Sequence, residues 1–417
     1  MGRTLVPITM VAAMAAFAMA ALIAGLMYYQ SPSWWLAAVQ LAVLGGILPM
    51  IYAVNFRIVP VLSRRSWSSE TWLHLQVAFA ISGAWIAYAS RIADWDAGLV
   101  LGHGLAFAGG MTFTFNLARL FRQPLGRAPA PPLPYDGHAS VDKLATRFTR
   151  LSGVYLLVGL ATGFLTTWRR PDFGHWDLVW AHALLVGFFL SLAAGVCYHV
   201  LARWTGRRWR WQWAIRLHLL VVVIGLPFML LALASDWMPL FAIAGPLQAA
   251  AIVLFLANVA PMLGGLPVRT SVPFAIAGAC LLTGVGMGAT FAVEPAIGAR
   301  LRLVHAELNL FGWAGLLICG VGYYLIPRFL GQLLRWPLLA ILQLGSLMTG
   351  VLLGVAALWW NACGDGSREL ILVAQSMVAL GFFLYGALIA FTFLGRQVAG
   401  VIGSIVLQPR SRQPGGG

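Results

Sequence analysis

The sequence predicts an all-α, polytopic membrane protein with twelve transmembrane helices. Of its 417 residues, 60% are hydrophobic and only 9% are charged, whereas soluble proteins carry about 25% charged residues. Apolar runs of about 20 residues, long enough to cross a bilayer core as helices, recur along the whole chain. These runs are continuous and do not alternate apolar with polar residues, so helices are favoured over barrel strands.

Each apolar run defines one predicted span. The first run is too long for the core of a signal peptide, so we expect an uncleaved span there. The predicted spans cover residues 5–29, 35–60, 73–92, 97–121, 149–168, 177–202, 216–235, 239–263, 272–293, 303–327, 337–360 and 370–395. The lipid bilayer is the partner that this pattern implies.

The distribution of basic residues predicts the orientation. The chain has 27 Lys and Arg residues and a net charge of +15. If the N-terminus is inside, 21 of the 27 fall in inner segments and the remaining 6 in outer ones. Basic residues concentrate on the cytoplasmic side of membrane proteins. We therefore expect both termini inside a bacterial inner membrane, and the positive charge does not indicate nucleic-acid binding.

The spans group into three units of four helices. We assign residues 1–122 to the first transmembrane repeat, 149–265 to the second and 266–398 to the third. Residues 123–148 form a proline-rich cytoplasmic loop that separates the first two repeats, because dense prolines make a stiff, extended connector. Residues 399–417 are a cytoplasmic tail, which we expect to be disordered from Gln408.

Internal similarity supports this grouping. A shift of 125 residues places five residues of span six on identical residues of span ten, and a shift of 142 relates span two to span six. The third spans place His74, His218 and Gln343 at comparable positions. The five matches are Gly187, Gly195, Tyr198, Arg203 and Gly206, which fall on Gly312, Gly320, Tyr323, Arg328 and Gly331.

Polar side chains inside the spans are the candidate functional residues. His182 and His305 lie one or two turns inside the outer ends of spans six and ten, and imidazoles at that depth usually face the bundle interior. The two shifts place Gln40, His182 and Glu307 at one position of the three repeats. His103, at the outer end of span four, is a further candidate. Each of these residues can serve a ligand site, or can simply form hydrogen bonds between helices.

The spans and motifs resemble subunit I of the heme–copper oxidases and nitric oxide reductases, and the related NnrS-like membrane proteins. In that family span ten carries His-x-His, a glycine-rich stretch and Tyr-x-x-x-Pro-Arg, and a copper-binding histidine of span six precedes Gly-Phe-Phe. The matching residues here are His305-Ala306-Glu307 with Gly312, Gly320, Tyr323, Pro327 and Arg328 in span ten, and His182 with Gly187-Phe188-Phe189 in span six.

Departures from the family pattern limit what the resemblance implies. Glu307 replaces the second histidine of span ten, span two has no histidine, and the stretch 229–233 lacks the copper-binding pair of span seven. The resemblance therefore implies no low-spin heme and no complete copper site. It implies one heme b with His305 as axial ligand and His182, a candidate metal ligand, on the opposite face. Glu307 should then be neutral or paired with Arg300 or Arg302.

Two functions remain open. In the first, the protein binds one heme b and a diatomic gas, nitric oxide or oxygen, because imidazole-ligated heme iron with an open side binds such gases. In the second, it is a cofactor-free scaffold or transporter that kept the fold and lost the redox centres, as a fold does not fix a function. The sequence does not decide whether the protein is an enzyme.

Overall fold

The structure is a computed structural model that describes residues 4–31, 34–126, 132–169, 171, 173–331 and 336–406, without the side chains at 330 and 395–406. It is 86% helical, and the described residues contain no strand. The predicted all-α class is confirmed.

Twelve helices of the described residues are long and apolar enough to cross a membrane. Each overlaps one predicted span over most of its length, so the prediction of a multi-pass helical membrane protein is confirmed. The helices are α1 (Leu5–Leu26), α2 (Trp34–Ser63), α3 (Glu70–Ile92), α4 (Asp96–Arg122), α5 (His138–Arg169), α6 (Trp176–Thr205), α7 (Gln212–Ser235), α8 (Met238–Leu263), α9 (Val268–Phe291), α10 (Pro295–Phe329), α11 (Pro337–Ala362) and α12 (Arg368–Leu394).

The predicted proline-rich loop is too long at its C-terminal end. The sequence assigns residues 138–148 to the loop, but they form the first three turns of α5. Their buried residues, Val141, Leu144, Ala145 and Phe148, follow the i, i+3, i+4, i+7 spacing of an amphipathic helix. The loop's residues 127–131 lie outside the described residues.

Part of the predicted cytoplasmic tail is also helical. The helix that contains α12 continues to Val406, so the first part of the predicted tail, residues 399–406, is helical. Residues 407–417, which include the tail after Gln408 that we expect to be disordered, lie outside the described residues.

The helices form a ring around three inner members. Each helix packs against the next one in the chain, and α12 packs back against α1. The helices differ in how much of an 18-residue apolar stretch of each one is buried in the protein. The buried share is 94% in α2, 67% in α6 and 78% in α10, against 28–61% in the other nine helices. The second helix of each predicted repeat is therefore an inner helix.

Each inner helix contains one π-helical segment, and the α2 segment contacts those of α6 and α10. The segments are Leu41–Ile47, Ala183–Leu190 and Leu308–Gly315. They begin directly after Gln40, His182 and Glu307, at separations of 142 and 125 residues, as in the predicted register. Such segments occur frequently at functional sites. The threefold repeat remains a prediction, and these positions support it.

Hydrogen bonds between second and third helices follow the same register. The Tyr198 hydroxyl lies 2.9 Å from His218 Nδ1, and 125 residues later the Tyr323 hydroxyl donates to Gln343 Oε1 over 2.7 Å. The prediction that His74 is the counterpart of His218 and Gln343 in the first repeat is wrong. His74 is exposed, whereas Gln76, 142 residues before His218, is fully buried.

Candidate functional site

His182 and His305 lie next to each other between inner helices α6 and α10. Their ring centroids are 6.3 Å apart and the ring planes differ by 24°. Both residues are partly buried. Phe291 of α9 packs beside His305, with ring centroids 5.6 Å apart. The two histidines predicted from their depth in the membrane are thus brought together by the fold.

Backbone carbonyls fix the tautomer of both rings. His182 Nδ1 lies 2.8 Å from the Leu178 carbonyl oxygen, one turn earlier in α6. His305 Nδ1 lies 2.9 Å from the Gly284 carbonyl oxygen of α9. Because a carbonyl oxygen only accepts, each neutral ring carries its proton on Nδ1 and keeps the Nε2 lone pair. Metal-binding histidines characteristically donate their second ring N–H to a backbone carbonyl or carboxylate.

The separation of the rings suits one metal bound by both imidazoles. Metal–imidazole nitrogen bonds measure about 2.0–2.1 Å, which places the metal about 3 Å from the ring centroid. Two rings on opposite sides of one metal therefore lie about 6 Å apart, close to the 6.3 Å between His182 and His305. Among the described residues, no group of three or more His, Cys, Asp or Glu side chains could hold a metal ion.

Gln40 and His103 form a second polar pair, between α2 and α4. Gln40 Nε2 lies 2.9 Å from His103 Nε2, and Arg91 Nε of α3 donates to Gln40 Oε1 over 3.2 Å. The arginine fixes the amide orientation, so Gln40 donates and His103 Nε2 accepts. Arg91 also lies 4.0 Å from the carboxylate of Asp177 on α6. The pair is a bonded contact between helices, separate from the His182–His305 site.

Glu307 faces away from His305, although only two residues separate them. Two residues turn a helix by about 200°, so His305 contacts α9 while Glu307 contacts α12. Gln375 Nε2 donates to Glu307 Oε2 over 2.8 Å. The expected arginine partners bond elsewhere. Arg300 Nε donates to the Ala362 carbonyl, and the Arg302 guanidinium lies 5.9 Å from the Trp35 ring centroid.

An ionic cluster joins the N-terminal part of α5 to the C-terminal end of α6, and the sequence does not indicate it. Asp142 accepts hydrogen bonds from Arg203 at 2.7 and 3.0 Å, and its Oδ1 lies 2.8 Å from His199 Nδ1. His138 Nε2 lies 3.4 Å from the same oxygen. The four-residue spacing of His138 and Asp142 places both on one helix face. That spacing is a signal only once residues 138–148 are recognised as helix.

An apolar cavity of about 130 Å³ lies between the C-terminal parts of the inner helices. Its wall includes Ile51, Phe189 and Val321. The Phe189 ring packs against Trp313, with centroids 6.1 Å apart, where α6 and α10 continue toward His182 and His305. Apolar walls of this kind favour small apolar molecules over water.

No protein-family model matches the chain, and no curated protein sequence matches it.

Proposed function

We propose that the protein is a divergent relative of heme–copper oxidase subunit I, in a bacterial inner membrane, that binds one heme b at His305 and His182. The supporting observation is the imidazole pair, 6.3 Å apart, with both Nδ1 protons on backbone carbonyls. Both rings thereby present the unprotonated Nε2 that a metal needs. The two imidazoles are the ligand type that would hold heme iron or another metal.

His305 and His182 are the ligands that the protein would provide. His305 is held by α9 and His182 by its own helix, so the two ligands are positioned independently. Phe291 packs beside His305, and an apolar shell around a heme controls solvent access. When bound, heme iron supplies reversible binding of a diatomic gas, nitric oxide or oxygen.

Expression with added heme tests this proposal. The purified wild-type protein should show the Soret absorption of bound heme, and His305→Ala should lose it. His175→Ala is the matched control, because His175 is an exposed histidine ahead of α6 and its loss should leave the absorption unchanged. A folded, colourless wild-type protein would contradict the proposal and favour the cofactor-free scaffold or transporter.

A further inference from the structure

The buried pair of Glu307 and Gln375 is incompletely satisfied. The two residues are 3% and 1% exposed, and one hydrogen bond joins Gln375 Nε2 to Glu307 Oε2. The other oxygens, Glu307 Oε1 and Gln375 Oε1, have no hydrogen-bond partner in the described part of the chain. Both unsatisfied atoms are acceptors. What the pair lacks is therefore a donor or a positive charge.

No basic side chain of the described residues supplies that charge. Arg300 and Arg302 are the nearest arginines in the sequence, and they contact the Ala362 carbonyl and the Trp35 ring. An ionised carboxylate at membrane depth is costly unless it is paired. Glu307 is therefore either protonated or paired with a cation that is not a described side chain.

The fold leaves space beside the pair. Glu307 and Gln375 form part of the wall of a cavity of about 30 Å³, whose other wall residues are apolar. A single water needs about 10–15 Å³ of such space, so the cavity has room for about two particles of that size. Two glycines pack closely against the pair. A Cβ at Gly354 would lie 2.8 Å from Glu307 Oε1, and one at Gly25 would lie 3.0 Å from Gln375 Cβ.

The cavity lies close to one end of the helix bundle. Its wall includes Met27, just beyond the end of α1, Trp35, in the first turn of α2, and Leu358, in the last turns of α11. This is the end that the distribution of basic residues places outside. Gln375 lies about two turns from the start of α12 and Glu307 about three turns from the start of α10, so a ligand from that side passes about two to three helical turns to reach the pair.

We propose that Glu307 and Gln375 form a binding site for a small monovalent cation, Na⁺, that enters from this end of the bundle. Carboxylate and amide oxygens are the ligands that hard cations prefer. The three side-chain oxygens provide one negative charge, and water in the cavity completes the coordination. The small volume favours Na⁺ over larger ions. This site does not depend on heme at His182 and His305.

Sodium binding to the full-length purified protein tests the proposal. Equilibrium binding of radioactive Na⁺ should saturate at one ion per chain. NaCl should also raise the thermal unfolding temperature above that in choline chloride of the same ionic strength, because a ligand of the folded state stabilises it. Glu307→Gln, which preserves shape and removes the charge, should lose both effects. Glu294→Gln removes an exposed glutamate just before α10 and should retain both.

A second variant separates loss of the site from loss of the fold. Gly354→Ala keeps the carboxylate but places a methyl group against Oε1, so it should weaken Na⁺ binding while the protein still unfolds cooperatively. His305→Ala should bind Na⁺ as the wild type does, which keeps this test independent of heme. Unsaturable binding in the wild type would overturn the proposal, as would full binding in Glu307→Gln. A protonated-carboxyl infrared band at saturating Na⁺, absent from Glu307→Gln, would also overturn it by showing a neutral acid.

Discussion

The imidazole rings of His182 and His305 lie 6.3 Å apart, although 123 positions of the chain separate them. His182 directly precedes the π-helical segment of α6, which begins at Ala183. His305 lies three residues before the π-helical segment of α10, which begins at Leu308. A π segment adds a residue to one helical turn and changes the direction of the side chains on either side of it. The segments thus contribute to where the two rings point.

Close packing at the π segments predicts a sharp effect of added volume. In Gly187→Ala the new Cβ would lie 2.6 Å from the Tyr155 ring, so we expect a loss of about 1–3 kcal/mol in unfolding free energy. Gly153→Ala is the matched control, since no atom lies within 4 Å of its Cβ. Thermal or denaturant unfolding in detergent measures both. Equal stability of the two variants would contradict the close contact between α5 and α6.

The hydrogen bond between the buried Tyr198 hydroxyl and His218 should contribute to the stability of the protein. Tyr198→Phe leaves His218 without its partner at 2.9 Å. We expect a loss of about 0.6–2 kcal/mol, the range for buried hydrogen bonds in membrane and soluble proteins. Tyr324→Phe should have little effect, because the Tyr324 hydroxyl makes no hydrogen bond in the described part of the chain. The reverse order of the two stabilities, measured by thermal unfolding, would refute the assignment.

The ionic cluster between α5 and α6 predicts a larger loss. Asp142→Asn removes the charge that accepts two hydrogen bonds from Arg203 and faces His199. The carboxylate is 22% exposed, so solvent screens it only in part, and we expect a loss of about 1–3 kcal/mol. Asp136→Asn, at an exposed position before α5, should change stability little. Similar unfolding curves for both variants would exclude a stabilising role for the cluster.

Orientation in the membrane is a separate prediction. Reporter fusions after Arg65, after Gly126 and after Arg210 should all report the cytoplasm, because basic residues surround these sites. Fusions at Asp94 and Asp236 should report the outside. A periplasmic signal from the fusion after Gly126 would contradict the predicted orientation of the first repeat.

The sequence predicts the helices well and their contacts less well. Each span is visible because lipid requires a continuous apolar run. The start of α5 cannot be recognised as a continuous apolar run, because residues 138–148 are amphipathic and too polar. The depth of His182 and His305 singles them out, but their distance cannot be read from two separate spans.

For Glu307 the sequence predicts the burial of the side chain but not its hydrogen-bond partner. Its burial is expected, because an ionised side chain facing lipid is costly. Its partner Gln375 lies 68 residues later in α12, and a single amide in an apolar span gives no sign of which helix it faces. An arginine near the outer end is therefore the partner that the sequence suggests. Contacts between distant helices depend on packing that one sequence does not display.

Binding of carbon monoxide to the reduced, heme-loaded protein tests most directly whether His182 and His305 hold one metal between them. If both rings are ligands, the wild type should bind carbon monoxide poorly. His182→Ala should keep the Soret band and bind carbon monoxide readily, because an axial position has opened. Equal carbon monoxide binding by the two proteins, with heme present in each, would contradict a metal shared by the two imidazoles.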